Sequence, residues 1–141
     1  MARKIAAPGL VVFAKNKKRL SSFYEEVFGL TRAVSEPSHD VLLGEGLEVV
    51  VHAIPRKYAA GITIARPPAV RDESAFKPAF VVRDLDAARA SAKKRGGFVK
   101  PKEAAWVIRG AIVIDGWDPE GNVIQLKQLS SDGPSTSSRI V

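Results

Sequence analysis

The feature that most narrows the fold is a repeat: the chain states one plan twice, sixty-eight residues apart. Val11-Val12-Phe13-Ala14-Lys15-Asn16 is an apolar run ending in a helix-capping residue, and Ala79-Phe80-Val81-Val82-Arg83-Asp84 repeats it. Asn and Asp are strong N-caps because a side-chain oxygen accepts from first-turn amides that lack intrahelical partners. Behind Asn16, Leu20, Phe23, Tyr24 and Val27 recur at helical spacing as one apolar stripe. Behind Asp84, Leu85, Ala88 and Ala92 form a weaker one. Gly29 and Gly97 fall at the same offset, where each helix is expected to end in a left-handed residue, and an apolar residue follows each, Leu30 and Phe98. Features in register at this number of positions mark an internal duplication.

Short β-type runs follow each helix. In the first half they are Thr31–Ser35, Val41–Leu43 and Leu47–Ile54; in the second, Val99, Trp106–Ile108, Ala111–Ile114 and Val123–Lys127. Each half therefore reads βαβββ, module 1 over about 8–56 and module 2 over about 77–128, within a single domain. Residues 57–76, with Pro67-Pro68 and little periodicity, read as the linker, and Gly61-Ile62-Thr63-Ile64 as an added edge strand. The segment 129–141 is polar and flexible in composition and is placed outside the core.

The last hairpin adds a specific likeness. Asp118-Pro119 starts a turn, Gly121 permits the positive φ that finishes it, and Val123-Ile124-Gln125-Leu126 continues as a strand. This stretch resembles the final hairpin of the vicinal-oxygen-chelate superfamily, which comprises the glyoxalases, extradiol dioxygenases and bleomycin-resistance proteins. Leu20-Ser21-Ser22-Phe23-Tyr24-Glu25-Glu26-Val27-Phe28-Gly29-Leu30 looks like that family's first helix with its FY…(L/F)G ending. Val82–Ala88 with Gly96-Gly97 resembles its second. The resemblance implies an α+β fold: two βαβββ modules forming a curved mixed sheet with a concave cleft, helices on the outer face. It also implies that short two-module chains complete each cleft with strands from a partner, so a homodimer is expected.

Period-two alternation assigns the strand faces. Leu47, Val49, Val51, Phe80, Val82, Ile124 and Leu126 suit the helix-covered side. Gly9, Val11, Phe13, Glu48, Val50, His52, Lys77, Ala79, Val81, Val123, Gln125 and Lys127 then face the cleft. In the family's metalloenzymes four such positions supply His or Gln, Glu, His and Glu as metal ligands. By resemblance these positions are Gly9, Val50, Lys77 and Gln125 here. Two lack donor atoms and a third is cationic, whereas a divalent transition metal needs convergent imidazoles and carboxylates. No metal and no other cofactor is expected.

The remaining candidates each have two readings. Lys77 either snorkels to the cleft edge or replaces the metal's charge, holding an anionic group or pairing with Glu48. His52 is either a satisfied strand histidine or a ligand contact; His39, in a polar run, reads as loop. Gln125 either bonds a neighbouring strand or contacts ligand through its amide. Trp106 and Trp117 are core or lid aromatics or, lining the cleft, stacking faces for a flat molecule. Tyr24 is read as structural.

Among the 141 residues there is no cysteine, which excludes disulfides and thiolate metal sites and fits a cytoplasmic location. The first residues carry no apolar core suited to a signal peptide or membrane span. A net charge of +7 argues against a cationic drug as ligand and for a neutral or anionic one. The runs Lys15–Arg19 and Lys93-Lys94-Arg95 read as solvated faces, and no base-stacking or groove-reading module points to nucleic acid. The leading expectation is a metal-free protein that sequesters a flat, partly apolar, neutral or anionic compound using Lys77, Gln125, His52, Val50, Val11, Phe13, Trp106 and Trp117. Alternatives are a metal-independent lyase or isomerase with His52 and Glu48 as acid and base, and a non-catalytic dimeric regulator whose cleft is filled by Val11, Phe13, Val50 and Val81.

Overall fold

The computed structural model describes residues 7–129. The tail from Ser130 lies outside them. In chain order the elements are β1 (Gly9–Ala14), α1 (Lys17–Phe28), β2 (Thr31–Ser35), β3 (His39–Gly44), β4 (Leu47–Ala53), α2 (Arg56–Ala59), β5 (Ala79–Val81), α3 (Leu85–Lys94), β6 (Phe98–Val99), β7 (Trp106–Ile108), β8 (Ala111–Trp117) and β9 (Val123–Leu129). The βαβββ plan is therefore present twice.

Both helices begin as the caps dictate. Asn16 Oδ1 accepts from the Arg19 amide at 3.0 Å, and Asp84 Oδ1 accepts from Asp86 and Ala87 at 2.9 and 3.2 Å. The two helices end differently. α1 closes on Gly29 with φ 67°, as expected, but in α3 the positive φ of 90° falls on Gly96, one residue before the expected Gly97. Gly97 serves close approach instead, since a Cβ there would run into the Phe23 ring and lie 2.6 Å from the Trp117 carbonyl oxygen.

The expected edge strand at Gly61–Ile64 is not formed. Turns from Tyr58 and Ala59 carbonyls to the Gly61 and Ile62 amides take its place. The Lys15 ammonium then takes the Ala59 and Ile62 carbonyls, so part of this backbone is satisfied without a sheet neighbour. His39 lies in β3 rather than in a loop, because its Cα partner in the ladder is His52.

The strands form two mixed sheets rather than one. The first has the order β1-β4-β3-β2, with β1 and β4 parallel. The second has the order β5-β9-β8-β6, with β5 and β9 parallel and β7 also on β8. One core fills the space between sheets and helices. Val49, Val51, Ile124 and Leu126 are fully buried, so the alternation assigns their face correctly. Phe28 stacks on Phe80 at 4.2 Å, which carries this core across the module boundary.

Polar links reinforce that boundary. The buried Tyr24 hydroxyl donates to Asp118 Oδ2 at 2.8 Å. Glu120 accepts from the Lys15 and Asn16 amides at 3.0 and 2.8 Å, so the last hairpin caps the approach to the first helix. Arg95 pairs with Glu26 at 2.7 Å between α3 and α1. No helix among the described residues is long and apolar enough to cross a membrane.

Candidate functional site

By register, seven of the eight sequence-derived ligand candidates lie on the sheet faces turned away from the helices, divided between the modules, and Lys77 precedes β5. On the first sheet, the parallel register of β1 and β4 sets Val11 beside Val50 and Phe13 beside His52. The Phe13 and His52 rings lie 5.6 Å apart, and the His39 ring stacks on His52 at 6.1 Å. His52 Nδ1 lies 3.0 Å from the carbonyl of Ala53. Glu48 stands four residues earlier on the same strand, roughly 13 Å away at the ordinary strand rise, so the two do not form an acid–base pair.

On the second sheet, register pairs Asp115 with Gln125, Val113 with Lys127 and Trp106 with Val113. Phe98 stacks on Trp117 at 4.7 Å. Lys77, just before β5, places its ammonium 3.0 Å from Asp115 Oδ1. The expected pairing with Glu48 is thus replaced by one within module 2. The ammonium is close enough for an ion pair, yet no donor is aligned on that buried oxygen, which lacks a hydrogen bond among the described residues. Both side chains are partly exposed, at 40% and 26%, which limits what the pair adds to stability.

Sequence reasoning missed Asp115 and Phe98. Ending the strand at Ile114 stopped the alternation too soon: Ile112 and Ile114 on the helix side require Val113, Asp115 and Trp117 on the other. Within the chain these faces are open in part, with Val113 buried on the second sheet and the outer strands exposed. Val11, Phe13 and Val81 are 54%, 62% and 60% exposed, so they do not fill a cleft of their own chain. No hydrogen bond, ion pair or ring contact joins the first set to the second among the described residues.

At three of the positions that correspond by resemblance to metal ligands, the residues do not suit a metal. A side chain at Gly9 would begin 3.1 Å from the Glu48 carbonyl oxygen. Val50 offers no donor, and Lys77 brings an ammonium already committed to Asp115. Among the described residues no three His, Asp or Glu side chains are grouped to hold an ion.

The sequence matches no protein-family model and no curated protein. Solved structures do match. A glyoxalase/bleomycin resistance protein from Albidiferax ferrireducens aligns with a TM-score of 0.61 at 16% identity, over 86% of this chain and 96% of that one. A glyoxalase/bleomycin resistance protein/dioxygenase family enzyme from Burkholderia phytofirmans gives 0.61 at 18% identity, over 88% and 99%. The bleomycin resistance determinant encoded on transposon Tn5 gives 0.55 at 18%, over 90% and 98%. The chain thus has the fold of the glyoxalase/bleomycin resistance proteins, the vicinal-oxygen-chelate fold.

Proposed function

We propose that this chain uses the vicinal-oxygen-chelate fold as a metal-free small-molecule binder, with a homodimer closing each site over a flat, partly apolar, neutral or anionic compound. The observation that carries the reading is Lys77. By resemblance it corresponds to a histidine ligand of the metalloenzymes, and its ammonium rests against Asp115, which pairs in register with Gln125. A fixed cation, an amide and a carboxylate can orient polar atoms of a ligand, while Trp106, Trp117, Phe98 and Phe13 supply flat apolar area. The dimer is supported by the same faces, which leave the apolar side chains of Val11, Phe13, Val81 and Leu129 exposed. Catalysis by His52 with Glu48 lacks the necessary contact.

Native mass spectrometry of freshly purified protein tests the proposal in one measurement. The expected species is twice 15.2 kDa plus a co-purified organic molecule, with metal well below one ion per chain. A first-row transition metal at one ion per chain after chelator-free purification would overturn it.

A further inference from the structure

A recess lies on the helix side, away from the faces just described. It measures about 430 Å³ and sits between the start of α1 and the end of α3. Its charged lining is entirely basic: Lys18 and Arg19 on one side, Lys93, Lys94 and Arg95 on the other. Arg95 is neutralised by Glu26 at 2.7 Å. Lys18, Arg19, Lys93 and Lys94 have no carboxylate within 4.0 Å among the described residues. We propose that this recess binds a compact polyanion, a small molecule bearing two or more phosphate groups.

Three features separate this recess from an ordinary solvated basic surface. The first is placement against the helix dipole. Lys17, Lys18 and Arg19 occupy the first turn of α1, which holds no acidic residue, although each cation there opposes the positive helix end. Lys17 is relieved by Asp40 at 2.8 Å and Lys15 by linker carbonyls, whereas Lys18 and Arg19 remain directed at the recess. The second is the setting of Arg19. Its guanidinium lies against Gly96, where a Cβ would collide with Nη2, so the residue with positive φ also makes room for the cation. Burial and the neighbouring Arg66 charge press the Arg19 guanidinium below its usual range, with Glu120 offsetting only part. Both Glu120 oxygens are already occupied by the Lys15 and Asn16 amides. The third is the lining itself. Asn16 and Ser22 add small polar groups and no aromatic ring is present, so phosphate can be gripped by Arg and Lys donors but a nucleobase cannot be stacked. The volume lies near the lower end of small-molecule sites, roughly 300–1,000 Å³, which suits a compact ligand.

Calorimetry of the full chain with inorganic tripolyphosphate at low salt tests this. Saturable binding at one site per chain is expected. Lys93→Gln with Lys94→Gln, both exposed and costing the end of α3 little besides a favourable dipole contact, should weaken it about tenfold or more, with helical signal as the check on folding. Arg56→Gln with Lys57→Gln removes the same charge on α2 and should leave it within about twofold. Absence of saturable binding, or equal weakening by the two pairs, would show only diffuse attraction to a basic protein and overturn the proposal. Tighter binding of an RNA oligonucleotide lost with the same lysine pair would also overturn it, in favour of a nucleic-acid surface.

Discussion

Asp40 and Asp118 are both buried, yet acid acts on them in opposite senses. Burial alone pushes the Asp40 carboxyl up, but hydrogen bonds from Lys17, Ser21 and Ser35 and the Arg32 charge outweigh it and hold it below its ordinary 3.8. Asp40 therefore stabilises the fold above that value, and the contribution is lost as pH falls through the lower folded value. For Asp118 burial outweighs the hydrogen bonds from Asn122, Tyr24 and the backbone, and its carboxyl is raised. Its contribution is present at low pH and lost as pH rises through the raised value. Asp40→Asn should flatten the decline in urea midpoint between about pH 5 and 2, while Asp118→Asn should steepen it. If both variants decline as the parent does, neither aspartate sets the acid response. Lys77 is the other residue whose environment decides its role. Lys77→Met should weaken an acidic aromatic ligand roughly 10- to 150-fold, the loss of a charge-assisted contact of about 1.5–3 kcal/mol. It also strips Asp115 of its cation, so Lys77→Met with Asp115→Asn should recover stability in thermal melts without recovering affinity. Recovery of both would mean that Lys77 serves Asp115 and not the ligand.

At the scale of elements, the caps and the period-two strands were legible because local chemistry fixes them: Asn16 and Asp84 bond their own first turns, and Val49 or Ile124 must face a helix. What was not legible depends on distant partners. Gly97 is tight against Phe23 and Trp117, β8 runs on to Trp117 because β9 and β6 pair with it, and the Ile62 carbonyl is taken by Lys15. The candidate site divides in the same way, since faces follow from alternation whereas the Lys77–Asp115 pairing does not. The turn at Asp118–Asn122 joins local and distant demands. Gly121 has φ 87°, and a Cβ there would strike the Ala69 carbonyl oxygen. Gly121→Ala should therefore cost at least about 1 kcal/mol, seen as a lower melting temperature. An unchanged melt would mean that the 69–70 segment yields freely.

For the whole molecule, two sheets share one core through their helix-covered faces and leave apolar side chains such as Phe13, Val11 and Val81 exposed on the other. The proposed dimer predicts sedimentation at twice 15.2 kDa at micromolar concentration. Phe13→Glu, at a 62% exposed position, should return the chain to a 15.2 kDa species without loss of helical signal. A persistent dimer would move the interface off this face. The grip of Glu120 on the Lys15 and Asn16 amides, together with Tyr24 on Asp118, also bears on the order of biosynthesis. The first helix leaves the ribosome about a hundred residues before the groups that complete its surroundings. The contacts that complete the surroundings of the first helix therefore become available only once the closing hairpin has been translated, which leaves the amino-terminal half without them until then.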